Sequence, residues 1–305
     1  MNQRLDRHSA RLSAGEISYA DEGDGPAVVL LHGFPTHADL WRNLAPLLAP
    51  RFRVVAPDLL GYGHSGKPEA ADLSIAAQAR YVRELLEKLG VDEFALVGHG
   101  FGGGVAQLLA VEGGVRTLVL LDSVAFDEWE PAGVVADLAR DGVAATATLA
   151  ERAVREAFNR GMGHPDRLPP GEMELFIRPW RDDPTALLRA ARALDGKGLA
   201  GAARRIAERA IPVLVLWGED DPWLSSSLAE RLQDEIGDAA VALLPGCSHF
   251  VLEDAPDTVA PIVFEFLRIR YLGERHANAP APTPVELGVS FERPREPPGL
   301  VDEGE

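Results

Sequence analysis

The chain has 305 residues, 46% of them hydrophobic, enough for a large α/β domain with a sizeable buried core. A formal charge of −17 at pH 7 argues against nucleic acid and anionic lipid as partners. No run of about 18 apolar residues occurs, so no membrane span is expected. The opening MNQRLDRHSARLSAGE has no apolar centre and is not expected to act as a signal peptide. The single Cys247 excludes an internal disulfide and fits a reducing, cytoplasmic setting.

In chain order, AVVLLHG (Ala27 to Gly33) reads as a buried strand ending in a turn. ADLWRNLAPLLAP reads as a short helix with Pro46 as its weak point. RFRVVAPD is the next strand. DLSIAAQARYVRELLEKLG has helical apolar spacing, with Asp72 as the expected cap and Gly90 as the stop. EFALVG, FGGGVAQLLAV and VRTLVLLD follow as strand, helix and strand. Such alternation predicts a parallel sheet with right-handed crossovers.

From Val124 to Ala210 the pattern becomes mainly helical, rich in Ala and Arg, with a break at GHPDRLPPGE. Alternation resumes with IPVLVLWGEDDP, a helix near Ser225 to Ile236, the strand AAVALLP and the helix DTVAPIVFEFLRIRYL. From Gly273 onward come Pro280, Pro282, Pro284, Pro294, Pro297, Pro298 and the acidic end VDEGE, which read as a poorly ordered tail. The expected organisation is therefore a core of residues 1–123 and 211–272, a helical insertion at 124–210, and a tail at 273–305.

The stretch LVGHGFGG (Leu96 to Gly103) lies between a strand and a helix and has the form Gly-x-nucleophile-x-Gly. Its flanking glycines are Gly98 and Gly102, but the central residue is Gly100, which has no side chain. The same stretch also contains G-x-G-x-x-G at Gly98, Gly100 and Gly103, with Asp122 at the end of the next strand. On paper that is a dinucleotide-binding fingerprint, though alone a weak one.

Four motifs in order, HGFP (His32 to Pro35), the Gly98–Gly102 turn, WGEDDP with Asp221, and GCSHFVLEDAP with His249, are similar to those of the α/β-hydrolase superfamily. The resemblance runs over roughly Ala14 to Leu272. It implies the α/β-hydrolase fold, a mostly parallel sheet with helices on both faces and a helical cap after the sixth strand. It further implies His249 as general base and Asp221 as the acid that orients it, with Asp122 as the alternative acid and Asp220 a third. The backbone N–H groups of Phe34 and Phe101 would form the oxyanion hole.

HGFP together with GH-x-F-GG resembles the haloalkane dehalogenase, fluoroacetate dehalogenase and epoxide hydrolase branch, where the central residue is usually Asp; in esterase-like branches it is Ser. The departures are specific. Phe34 stands where a halide-holding Asn is usual, and Phe101 where Trp follows the nucleophile. None of Tyr19, Tyr62, Tyr81 and Tyr271 falls in the insertion, where epoxide hydrolases keep their acidic tyrosines. An ester- or lactone-directed ancestry is an equally good reading.

Gly100 suits the positive φ of such a turn while removing the covalent step. The resemblance thus implies a hydrolase of a small apolar molecule whose present activity is absent, weak or non-covalent. The alternatives are a His-dependent acid–base catalyst of lyase or isomerase type and a ligand-binding protein. Ser65, Ser123, Cys247 and Ser248 are candidate substitute nucleophiles without the right turn around them. His32 and His99 read as packed residues and His64 as a solvated one. No pair of histidines has metal spacing, so no metal is expected, and the implied hydrolysis requires no cofactor. Trp129, Phe158, Met162, Phe176 and Trp180 are expected to line a pocket or to form the insertion's own core.

Overall fold

The computed structural model describes residues 5–127 and 129–274. Eight strands form one sheet: β1 (Arg7–Arg11), β2 (Glu16–Glu22), β3 (Ala27–Leu31), β4 (Arg53–Pro57), β5 (Phe94–His99), β6 (Val115–Leu121), β7 (Val213–Gly218) and β8 (Ala239–Leu244). Their order is β1-β2-β4-β3-β5-β6-β7-β8. The β1–β2 and β2–β4 pairs are antiparallel, and all later pairs are parallel. β3, β5 and β7 are buried along their whole length, which is why they read as unbroken apolar runs.

The helices are α1 (Ala45–Leu48), α2 (Ile75–Lys88), α3 (Phe101–Glu112), α4 (Val134–Ala139), α5 (Ala147–Gly161), α6 (Pro170–Asp182), α7 (Pro184–Arg192), α8 (Ala202–Glu208), α9 (Ser227–Ile236), α10 (Val251–Asp254) and α11 (Pro256–Arg270). α2, α3, α8 and α9 pack in sequence against one another, while α1 packs on α11. α4 to α7 pack among themselves between β6 and β7, whereas α8, the end of the expected 124–210 insertion, packs on α3 and α9.

Two local expectations are corrected. The segment expected as one helix around Pro46 is a 3-10 turn, Ala38–Asn43, followed by α1. Pro46 lies in the first turn of α1, where a missing N–H leaves no bond unmade. The cap of α2 is Ser74, whose Oγ accepts from Ala77 N at 3.3 Å, and not Asp72. Asp72 instead accepts from the Ser74 amide at 2.9 Å, because a short carboxylate two residues upstream reaches the cap residue and not the helix. Of the tail expected to be poorly ordered, residues 275–305 lie outside the described residues. Glu274 pairs with Arg51 and Arg268.

The strand register positions the site. Leu31 lies beside Gly98, His99 beside Leu121, Leu121 beside Leu216, and Gly218 beside Leu244. The chain therefore leaves the sheet at one carboxyl edge carrying Gly33, Gly100, Asp122, Asp221 and His249. In an open parallel sheet, that edge is where ligands are bound.

Candidate active site

Gly100 joins β5 to α3 with φ 54° and ψ −122°. Its backbone is fixed on both sides: its N–H donates to Leu121 O at 3.1 Å, and its carbonyl accepts from Gly103 N and Val124 N, both at 3.0 Å. The glycines around it answer to close packing. A Cβ on Gly98 would lie 2.7 Å from Gly102 O, one on Gly102 2.3 Å from the Leu31 and His32 carbonyls, and one on Gly103 2.1 Å from Ser123 Oγ. Close approach of α3 to Gly98 and of Ser123 to Gly103 accounts for these two glycines by packing, without a dinucleotide.

Gly100 differs. The nearest atoms to a Cβ placed there are His249 Nε2 at 3.3 Å, His249 Cε1 at 3.5 Å and Gly33 Cα at 3.6 Å. His249 thus aims its Nε2 at the position from which a side chain of residue 100 would project. On the other side of the ring, Nδ1 lies 2.8 Å from Asp221 Oδ2. A carboxylate accepts only, so Nδ1 carries a proton, and Nε2 faces Gly100 as a lone pair in the neutral ring and as a donor in the imidazolium.

Asp221 is held in turn. Its side chain is fully buried, and Oδ1 accepts from Trp223 N at 2.8 Å and Leu224 N at 3.0 Å. The histidine loop is fixed by Asp254, whose Oδ2 accepts from Ser248 N at 2.8 Å. The His249 carbonyl accepts from His99 Nε2 at 2.9 Å. Trp223 and Phe250 meet the His249 ring edge to face at 5.0 and 5.1 Å.

Asp122, also at this edge, takes a different partner. It has a φ of 41°, and its Oδ1 accepts from Gly218 N at 2.8 Å. Its buried Oδ2 has no partner among the described residues. Burial, reinforced by the charge of Asp221, raises its carboxyl well above the usual range, so it favours its proton. Asp220 faces the loop only through its backbone, donating to Cys247 O and accepting from Ser248 Oγ.

Among the described residues, the N–H groups of Phe34 and Phe101 enter no hydrogen bond. Phe101 opens α3, so its amide is one of the unsatisfied donors that a helix N-terminus presents outward. Gly33, next to Phe34, sits against Gly100.

The other singled-out residues find structural partners. Ser65 Oγ donates to Asp58 O and accepts from Ser18 N. Ser123 Oγ donates to Val124 O. The Cys247 thiol is buried, and that burial pushes it up to about 11. His32 is wholly buried between Gly33 O and Leu59 N, and burial lowers it to about 4. His99 is lowered to about 3 by burial and by the neighbouring His249. His64 is half exposed, beside Asp58. His37, Asp58 and His64 bring ligand-type atoms within 4.8 Å of one another. Asp58 is already taken up by Arg7 Nη1, Ala38 N and His64 N, each at 2.7 Å, so the cluster is a hydrogen-bonded knot.

Three ties between insertion and core carry little sequence signal beyond charged or polar residues set in apolar runs. Trp180 Nε1 donates to Pro35 O at 2.6 Å. Arg42 is buried between Glu253 of α10 and Glu172 of α6. Asp254 accepts from Gly163 N and His164 N. Of the aromatics expected to line a pocket or fill the insertion, Phe158 stacks on Phe250 at 4.4 Å and Trp180 meets Phe34 at 6.0 Å. Phe176 stacks on Phe158, Met162 is buried, and Trp129 packs on the core from a partly buried position.

Comparison with known proteins gives a consistent answer. Residues 26–256 match the family model described as alpha/beta hydrolase fold. Haloalkane dehalogenase 2 of Mycobacterium tuberculosis is 32% identical over 270 residues, 83% of this chain and 92% of that protein. A fluoroacetate dehalogenase of a Burkholderia species is 33% identical over 273 residues, covering 80% and 88%. An alpha/beta hydrolase fold protein from Burkholderia ambifaria superposes with a TM-score of 0.79 at 27% identity, over 87% of this chain and all of that one.

Proposed function

The chain belongs to the α/β-hydrolase fold family, and we propose that it hydrolyses a small, largely apolar organic molecule by direct attack of water. The candidate substrates are an alkyl halide, an epoxide, an ester or a lactone. Among the relatives are proteins named haloalkane dehalogenase, fluoroacetate dehalogenase and soluble epoxide hydrolase. The observation that carries the proposal is His249 Nε2, 3.3 Å from the Cβ position of a residue that has no side chain. A water standing there gives its proton to Nε2 while its oxygen attacks the reacting carbon. Asp221 fixes the tautomer and balances the imidazolium that forms. With a carbonyl substrate, the Phe34 and Phe101 amides face the developing oxyanion. With an alkyl halide, the halide leaves with the bonding pair. Helices α4 to α7 of the insertion serve as a cap over this edge, and no cofactor takes part.

The test is a single turnover in H₂¹⁸O. Direct attack puts one ¹⁸O into the product and none into the protein, and His249→Ala removes the activity. Turnover by the native chain no faster than by His249→Ala, across activated esters, epoxides and alkyl halides, would sink the reading. Gly100 itself favours a second reading, a ligand-binding protein without catalysis. Tight binding of such molecules, unaffected by His249→Ala and without turnover, would establish it.

A further inference from the structure

Given a reaction at the elbow served by His249 and two amides, as proposed above, we propose that the space over Gly100 binds a short external monocarboxylate, which attacks the substrate in place of a side chain. Three features converge there. The first is the N-terminus of the twelve-residue α3, with Phe101 N–H unengaged. The second is the Phe34 amide on the facing loop, likewise unengaged. The third is His249, with 7% of its side chain exposed, its Nδ1 on Asp221 and its Nε2 aimed at the Gly100 position without a partner. As an imidazolium, His249 donates to an anion there, and Asp221 balances its charge.

Neither Asp221 nor Asp122, the two buried carboxyl groups at this edge, meets this demand for negative charge. Asp221 is turned to His249 and two backbone amides, and Asp122 to the Gly218 amide. Size selects the ligand. A heavy atom at the Cβ position already touches His249 at 3.3 and 3.5 Å and Gly33 Cα at 3.6 Å. Formate, with three heavy atoms, is the smallest carboxylate that could be seated against these contacts. With an alkyl bromide, one formate oxygen forms the new C–O bond, the C–Br bond breaks, and bromide leaves with its electron pair. The product is an alkyl formate, and no oxidant or proton donor is required.

Two measurements on the native chain decide the two parts. For the site, line broadening of [¹³C]formate is followed on adding protein. Broadening is expected in the native chain and is lost in Gly100→Ala, whose methyl takes the space. Gly100→Ser replaces that variant if it fails to fold, as judged by its melting curve. Native broadening that is absent, or unchanged in the variant, overturns the site. For the attack, 1-bromobutane is turned over with [¹⁸O₂]formate against sodium chloride at equal ionic strength. The expected result is a saturable gain of at least about tenfold, from holding nucleophile and substrate together. The ¹⁸O should appear in butyl formate, and in butanol released from it by attack at the formyl carbon. Unlabelled butanol at an unchanged rate overturns the attack and leaves hydrolysis by water standing. Failure of hydrolysis in chloride alongside labelled product in formate overturns the water reading and keeps this one.

Discussion

On the histidine side of the site, position is held by side chains: Asp221 grips His249, and Asp254 grips the loop through the Ser248 amide. On the elbow side, position is held mainly by backbone: Gly98 is pressed against the first turns of α3, Gly102 against the end of β3, and Gly103 against Ser123. Side-chain restraints leave ring and carboxylate rotamers free to adjust. Backbone contacts between 2 and 3 Å from a would-be Cβ leave nothing to adjust. Gly100 stands at the seam. Its neighbours on one side are the movable imidazole of His249 and on the other Gly33 Cα, so of the glycines in this turn it is the one whose space admits a side chain.

The hardest test of that contrast is Gly102→Ala. Its methyl would meet two carbonyls of the β3 end at 2.3 Å, and neither can rotate away. The cost should exceed about 4 kcal/mol and leave the chain largely unfolded, as read by urea denaturation. A well-folded Gly102→Ala with a near-native midpoint would break the comparison.

Acid should weaken the seam next. His32 and His99 are buried neutral, lowered to about 4 and about 3, against about 6.5 in an unfolded chain. The unfolded state therefore binds more protons as pH falls through 6.5, and stability, full above that pH, declines toward 4 and 3. Between pH 7 and 5 the two together should cost about 3–4 kcal/mol, measured as the change in urea midpoint. His99→Asn should flatten that dependence by roughly half. An unchanged slope would mean that His99 is not held neutral beneath the elbow.

The ends of the strands and the Gly-rich turn were legible in sequence from local signals, whereas the Asp221–His249 pair was reached only through the resemblance of its two motifs to a known family, with Asp122 and Asp220 left as alternatives. Unbroken apolar runs mark buried parallel strands, and turn residues punctuate them. What sequence hid was reciprocal packing. Ser74 displaced Asp72 as cap by one short reach that spacing does not encode. Arg42 finds Glu253 across 211 positions, and Asp254 finds the Gly163 and His164 amides across about 90. An apolar run with a charge inside, as in DLWRNL or FVLEDAP, announces a buried partner without naming it. Asp122 was legible as an acid at the right edge, but its preference for the Gly218 amide belongs to the β6–β7 pairing.

Gly100→Ser tests whether the seam is chemically competent. The hydroxyl would project toward His249 Nε2, completing the base–nucleophile contact that covalent catalysis requires. Hydrolysis of a short activated ester should rise at least about 10²-fold, with an acyl-enzyme visible by mass spectrometry. Gly100→Asp should gain only on alkyl halides or epoxides. A folded Gly100→Ser that forms no acyl-enzyme would show that the amides or the base are misplaced for attack from position 100.

The smallest effect isolates backbone from space. Gly100→Ala adds a methyl that His249 can accommodate by a shift of a few tenths of an ångström, since its nearest contact is 3.3 Å. What remains is the φ of 54°, a left-handed value that costs an L-residue on the order of 1 kcal/mol. Part of this is offset because alanine has fewer unfolded conformations than glycine. The net loss should be about 1 kcal/mol or less by urea denaturation, against the collapse expected for Gly102→Ala two residues away. If both substitutions cost several kcal/mol, the histidine ring is as immovable as the strand ends, and the two sides of the site are built alike. If Gly100→Ala costs little, the glycine at this position answers to no packing demand, and its occurrence must be explained by what it does for the ligand.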